Sequence, residues 1–304
     1  MAVKVGVIGV GYLGQHHARI YSEIEEAELV AVADTDSGRA ASFAEKYQCA
    51  AFSDYRDILS KVDALSIVTP TTYHYKIALA CLQAGKDLLI EKPITVTVEE
   101  ADELIDEAAK RDCIIQVGHL ERYNPAILAA ADFFSEPLFI ESERVSPFLG
   151  RATDVDVTLD LMIHDIDIIL SLIAKPVKNI RAVGVKVLTD KIDVAKAWLE
   201  FENGCMALAT AGRLSPEKSR TLKVLQKDSH LVIDYQSSEI KRFFKSGEGI
   251  STEIIKPEKK EPLKEELKDF LRCVKERKRP TVSAYEGRRA LKVILEINEI
   301  IKKH

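Results

Sequence analysis

The sequence predicts a doubly wound α/β domain over residues 1–119, followed by a strand-rich α+β region over residues 120–304. Three observations carry this. Short apolar runs alternate with helical patterns along the opening part of the chain, which implies parallel strands joined by right-handed crossovers. The first apolar run leads straight into Gly9-Val-Gly11-Tyr12-Leu13-Gly14. Further on, helical spacing gives way to successive strands, two of them joined by Asn203-Gly204, a strong hairpin signal. A chain of 304 residues also exceeds the usual one-domain size of about 150, so two domains are the default.

Residues 3–8 have the composition of a buried strand, and the glycine turn opens a helix to about residue 23. Residues 29–33 form the second strand, ending at Asp34; a helix over 37–47 and a short strand at 50–52 follow. The strand 63–68 closes at Thr69-Pro70, and the helix 73–84 stops at Gly85, where a glycine favours termination. Strand 87–91 ends in Glu91-Lys92-Pro93. Thr97 and Glu100 make a capping box for a helix to about residue 111, and 113–117 is a sixth strand.

The second region opens with a helix over 125–134 and a strand over 138–145, then an irregular stretch to residue 156. A helix over 158–172 precedes strands at 180–187, 194–202 and 205–211, and more between 221 and 244. Residues 247–261 read as an exposed, charged loop. A helix over 262–277 buries Leu263, Leu267, Phe270, Leu271 and Val274 at helical spacing, and a last helix, 285–303, is expected to pack back on the first domain.

Charge and composition exclude some partners. With 43 Lys+Arg against 48 Asp+Glu, the net charge of -5 offers no global basic surface for nucleic acid. No apolar run approaches the roughly 18 residues of a membrane span. The five cysteines are scattered, odd in number and preceded by no secretion pattern, so reduced thiols in a cytoplasmic protein fit best.

In Gly9-x-Gly11-x-x-Gly14 the first glycine permits a tight turn, the second admits a pyrophosphate to the backbone, and the third lets helix and strand pack closely. Tyr12 and Leu13 lie within that loop. Asp34, at the end of the second strand, is placed to bond a ribose 2′-hydroxyl and repel a 2′-phosphate, which favours NAD and leaves NADP, with Arg39 nearby, as second choice. Thr69 and Pro70 end a strand at the same sheet edge and join the cofactor set, whereas Thr71 or Thr72 equally suits a helix cap. His16 and His17 read as packing or polar-surface residues, and His74 as a residue of the first helical turn without a chemical role.

Lys92 closes a sheet strand, so its amine is directed at the ligand crevice. Asp160, His164 and Asp167 fall at i, i+4 and i+7, one face of a helix, beside an apolar stripe of Leu159, Ile163, Ile166 and Leu170. A solvated acidic face explains that spacing as well as a reactive cluster does. No matching third and fourth ligands accompany the Asp/His pair, so no metal is expected, and no Gly-x-Ser-x-Gly elbow supports hydrolysis.

Together Gly9-x-Gly11-x-x-Gly14, Glu91-Lys92-Pro93, Asp160-Leu-Met-Ile-His164-Asp-Ile-Asp167, Arg122-Tyr123-Asn124-Pro125 and the ending Glu266-Leu-Lys-Asp-Phe270 with Arg279-Pro280 resemble the Gfo/Idh/MocA oxidoreductases along the whole chain. The resemblance implies a Rossmann domain and a second domain with an open, mainly antiparallel sheet, often used to form homodimers or homotetramers. It also implies Lys92, Asp160 and His164 as the active-site groups. Residues 117–125 and 154–164 look most similar to the UDP-N-acetylglucosamine 3-dehydrogenase branch, whose members oxidise a sugar 3-hydroxyl. Met162 departs from the family, which often has glycine there.

On that resemblance Glu91 and Lys92 border the cofactor. The substrate, a sugar or sugar nucleotide, meets Lys92, Asp160 and His164, with Arg122, Tyr123, Asn124 and Arg151 as candidates for holding it. The alternatives are an NADP-dependent sugar, polyol or imine oxidoreductase, and a cofactor-binding sensor without turnover.

Overall fold

The computed structural model describes residues 2–148, 150 and 153–303; Arg151, a candidate substrate ligand, lies outside them. These residues form two compact units, one within residues 2–120 and 261–288, the other within residues 121–260 and 289–303.

The first unit is built on six parallel strands: β1 (Val3–Ile8), β2 (Ala27–Ala33), β3 (Ala50–Phe52), β4 (Ala64–Ile67), β5 (Asp87–Glu91) and β6 (Ile115–Gly118). Their order across the sheet is β3-β2-β1-β4-β5-β6, the doubly wound arrangement the alternation predicts. Helices α1 (Gly14–Glu23), α2 (Ser37–Tyr47), α3 (His74–Gln83) and α4 (Val98–Arg111) supply the crossovers. The Thr97 capping box is present, with both reciprocal bonds to Glu100, and Gly85 takes φ +71° behind α3.

The returning segment completes this unit. Leu267, Phe270, Leu271 and Val274 of α7 (Pro262–Glu276), four of the five positions expected from spacing, join the buried cluster of Val3, Val5, Val7 and Ile20. Beyond it, Val117 N–H donates to the Val282 carbonyl at 2.9 Å, and Gln116 bridges Ser283, so the outer edge of β6 is paired.

The second unit holds α5 (Pro125–Ala130), α6 (Ile163–Ile173) and eight strands: β7 (Pro137–Val145), β8 (Val177–Val185), β9 (Val194–Phe201), β10 (Met206–Gly212), β11 (Ser219–Gln226), β12 (Ser229–Asp234), β13 (Glu239–Ser246) and β14 (Gly249–Ile255). The order is β14-β13-β12-β11-β7-β10-β9-β8, antiparallel except for the β7–β10 pair. Asn203-Gly204 turns β9 into β10, with Gly204 at φ +83°.

One face of this sheet contributes Ile140, Ala197, Leu199, Ala207, Leu222 and Val224 to a core shared with α5 and α6. The last helix, α8 (Ala284–Lys302), begins among first-unit residues and then places Ala290, Val293, Ile294, Ile297 and Ile301 in this second core.

Two elements depart from expectation. The supposed loop at 247–261 is in part a strand, β14, paired with β13 along its length. It is an edge strand with no buried residue: Ile250 is 84% exposed while Ser251 and Glu253 hold half-buried positions, so the apolar alternation that marks strands in sequence is missing. The helix expected over 158–172 is instead a π-helical turn, Thr158–Met162, continuing into α6. The extra residue per turn breaks the simple i, i+4, i+7 face.

Candidate active site

Parallel strands end at one sheet edge, and in the first unit that edge carries Gly9 after β1, Asp34 after β2, Thr69 after β4, Lys92 after β5 and His119 after β6. The three glycines meet different demands. Gly9 has φ +87°, and a Cβ there would lie 2.7 Å from the Val68 carbonyl. A Cβ on Gly14 would come 1.8 Å from the Gly9 carbonyl, so helix and loop touch backbone to backbone. Gly11 faces open space, with nothing within 4 Å of its Cβ direction, which leaves the cradle a pyrophosphate needs. Tyr12 and Leu13 stand exposed on the loop.

Asp34 is tied to this loop. Its Oδ2 accepts from Val10 N–H at 3.0 Å and its Oδ1 from Asp36 N–H at 3.0 Å. Arg39 bridges Asp34 and Asp36, each at 3.3 Å, so its charge is already engaged by two carboxylates. That acid-rich strand end fits a ribose diol better than a 2′-phosphate.

The Thr69 hydroxyl is buried and meets no partner among the described residues. Neither Thr71 nor Thr72 caps α3, whose N-cap position is Tyr73 and carries no side-chain bond. Pro70, exposed, precedes the short 3-10 turn Thr71–Tyr73 that contains both threonines. His74, on the first turn of α3 as expected, is 1% exposed and spans two loops: Nε2 lies 2.8 Å from the Thr69 carbonyl and Nδ1 2.9 Å from that of Pro93.

Behind Lys92 lies a buried chain of polar groups. His17 is fully buried, with Nδ1 3.2 Å from Ser66 Oγ and Nε2 3.2 Å from Glu91 Oε1. The Tyr21 hydroxyl reaches the same Ser66 Oγ at 2.9 Å. Glu91 Oε2 accepts the Lys92 N–H at 3.2 Å. Burial opposes charge on Glu91, yet the His17 bond and the neighbouring Lys92 outweigh it and hold its pKa below the usual range. Gly118 makes room for this: a Cβ there would sit 2.9 Å from the Glu91 carboxylate. Glycine-motif spacing places His17 at the start of α1 but says nothing of the strands behind it, so its burial was invisible in sequence.

In the second unit, Asp160 lies in the π turn and His164 is the second residue of α6. Thr158 anchors the turn by donating to Asn298 Oδ1 at 2.6 Å, and Asp156 accepts Ile192 N–H at 2.8 Å. The solvated-face alternative does not hold for His164 and Asp167, which are buried, while Asp160 is half-buried; Asp165 beside them is buried too. Met162 is fully buried in the core.

Each buried acid of α6 has its own arginine. Arg122 Nε lies 3.1 Å from Asp167 Oδ2. Arg144, on β7, donates to both oxygens of Asp165 at 3.0 and 2.9 Å and to Glu121 Oε1 at 2.7 Å. Burial works against the Arg144 charge, but Asp165 and Glu121 more than offset it and its pKa rises; burial outweighs Arg144 at Asp165, whose pKa is raised. Tyr123 is buried, and Asn124 caps α5 through Ala126 N–H at 3.0 Å while donating to Glu121 at 3.1 Å. Glu121, Arg144 and Asp165 are functional-site neighbours to which no sequence motif assigns a role. The available signal was Arg144 in step with Ile140 and Ser142 on β7, the inward period of that strand.

Residues 3–119 match the model of the oxidoreductase family with an NAD-binding Rossmann fold, and residues 134–231 match the GFO/IDH/MocA C-terminal domain. The chain is 37% identical, over 308 residues, to UDP-N-acetylglucosamine 3-dehydrogenase of Acidithiobacillus ferrooxidans, covering 99% of this chain and 97% of that one. A solved structure of that dehydrogenase, GnnA, aligns with a TM-score of 0.96 over 100% of this chain and 98% of that chain at 36% identity. Scyllo-inositol 2-dehydrogenase (NAD(+)) of Bacillus subtilis is 28% identical over 234 residues, 70% of this chain and 68% of that one. Levoglucosan dehydrogenase in complex with NADH and levoglucosan shares the fold, with a TM-score of 0.91 over 100% of this chain and 98% of that chain at 19% identity.

Proposed function

The chain belongs to the Gfo/Idh/MocA oxidoreductases, NAD-binding dehydrogenases of CH–OH groups, and from that premise we propose that it oxidises the 3-hydroxyl of a UDP-N-acetyl-hexosamine. The observation that carries the substrate is the 37% identity to UDP-N-acetylglucosamine 3-dehydrogenase across 99% of the chain.

Oxidising a secondary alcohol takes a hydride acceptor, a base for the hydroxyl proton and a donor to the oxygen. NAD, when bound, supplies the hydride acceptor. Gly9, Gly11, Tyr12, Leu13, Gly14, Asp34, Thr69, Pro70, Glu91 and Lys92 are the residues assigned to holding it; the open cradle at Gly11 and the unpartnered Thr69 hydroxyl support this. His164 takes the hydroxyl proton at its imidazole, Asp160 stabilises the charged ring, and Lys92 donates to the substrate oxygen as the ketone forms. Arg122, Tyr123, Asn124 and Arg151 remain assigned to substrate. Among these Arg122 is already engaged by Asp167, and Asn124 serves as a helix cap, so both act by shaping the neighbourhood.

Incubation with NAD⁺ and UDP-N-acetylglucosamine should give NADH absorbance and a product lighter by two hydrogens. Reaction with free sugars or polyols alone would overturn the substrate. Lys92→Ala and His164→Ala should each lower turnover by about 10²-fold or more while NAD binding survives, and wild-type turnover in either would sink the role assigned to it.

Among the described residues no helix is long and apolar enough to cross a membrane. We place the protein in the cytoplasm, which suits its five free cysteines, and propose a homodimer or homotetramer formed through the exposed sheet face.

A further inference from the structure

Arg220 stands directly opposite Arg144 in the β7–β11 register, two like charges facing each other across adjacent strands on the inner face of the sheet. Such a pairing is unfavourable unless something compensates it. For Arg144 the compensation is complete, through Asp165 and Glu121. Arg220 meets Glu121 Oε1 at 3.5 Å, but that oxygen already accepts from Arg144 at 2.7 Å, and Glu121 Oε2 is taken by Asn124.

Donors therefore outnumber acceptors. Two guanidiniums bring ten N–H groups, and the neighbouring Tyr235 hydroxyl, 6% exposed, finds no acceptor among the described residues. Every carboxylate oxygen of Glu121 and Asp165 is already engaged by Arg144 or Asn124. Arg144 is almost wholly buried, but the Arg220 side chain is 35% exposed and open to an incoming ligand. Burial and Arg144 press the Arg220 pKa down, as expected of a cation short of anions, while Asp160 lies within its electrostatic reach.

We propose that Arg220 is the contact for the substrate's diphosphate, an anion-binding position on the second unit near Asp160. A planar fork of N–H donors suits phosphate oxygens, and the unmet donors are on the one arginine that solvent can reach. The assignment rests on the sugar-nucleotide reading above and adds the residue that makes the nucleotide matter.

The test uses the whole protein with NAD⁺, UDP-N-acetylglucosamine, N-acetylglucosamine without the nucleotide, and UDP alone as competitor. Arg220→Gln should raise the KM for the sugar nucleotide and the inhibition constant of UDP by about 10- to 100-fold, the range for losing a charged hydrogen bond. Its kcat and its KM for NAD should stay within a few-fold of wild type, and any turnover of the free sugar should be unchanged. Arg220→Lys, which keeps the charge and loses the fork, should fall between.

Unchanged UDP inhibition in a variant with a normal melting curve overturns the proposal. So does a KM that rises for NAD in place of the sugar nucleotide, because the anion would then be the cofactor's. If Arg220→Gln does not fold, Arg220→Lys with wild-type UDP affinity overturns it equally. A wild-type protein that neither oxidises UDP-N-acetylglucosamine nor binds UDP overturns the substrate reading as well, whereas a wild type that does both beside an indifferent Arg220→Gln overturns the Arg220 assignment alone.

Discussion

Gly118 shows how tightly the surroundings of Lys92 are set. Its missing side chain leaves the space that Glu91 occupies, and Glu91 in turn holds both His17 and the Lys92 N–H. Gly118→Ala must displace a buried carboxylate from its partners, so it should destabilise the protein by about 1–3 kcal/mol, read from denaturant unfolding. A change below half a kcal/mol would mean that Glu91 can move freely. At this scale the sequence was legible where a motif has fixed spacing: Gly9, Gly14 and Asp34 sit where the dinucleotide pattern puts them. Partners distant in sequence were not legible, because nothing in residues 14–23 announces that His17 will meet a carboxylate 74 positions later.

Secondary elements were legible in proportion to how one-sided their burial is. The helix 37–47 was predicted with the observed ends, because Asp36 caps it and Ala40 and Ala44 mark its inner face. β14 was missed because solvent touches both its faces, and the π turn was missed because one inserted residue leaves apolar spacing nearly intact.

The β8–β9 connection carries a test of its own. Asp193 accepts N–H bonds from Val187, Leu188 and Thr189 at 2.8, 2.7 and 3.0 Å and the Thr189 hydroxyl at 2.8 Å. Burial alone would push its pKa up, but these donors outweigh burial and bring it down to about 2. A lowered carboxylate pKa gives stability that is complete above the ordinary value near 4 and is lost as pH falls towards 2. Asp193→Ala should therefore cost about 1–3 kcal/mol at neutral pH, and its melting temperature should fall less between pH 4 and 2 than that of the wild type. Parallel acid profiles for the two proteins would show that Asp193 contributes nothing to the pH dependence.

On the whole molecule, the alternation of strands and helices gave the doubly wound sheet, and the hairpin signal pointed to the antiparallel one. The parallel β7–β10 pair was hidden, since no local pattern reveals which distant strand will be a neighbour. The sheet face away from α5 and α6 presents Trp198, stacked at a tilt on Phe139 with 5.5 Å between centroids, together with exposed Met206, Val183 and Val185. Apolar side chains grouped on an open sheet are ordinary for a subunit contact and unusual for a monomer's surface. If the proposed oligomer forms through this face, Trp198→Lys should lower the solution mass by light scattering towards the 33.9 kDa of one chain. A wild type that is itself monomeric, or a mass the substitution leaves unchanged, would overturn this contact.

The return of residues 261–288 to the first unit has a consequence for synthesis. A ribosome makes the glycine loop and all six parallel strands early, yet the apolar cluster around Val3, Val5 and Ile20 gains its Leu267, Phe270 and Leu271 cover only after residues 121–260 have been made. The nascent first unit must wait, partly uncovered, for nearly the entire chain. Its burden on chaperones should therefore fall in the interval before α7 emerges.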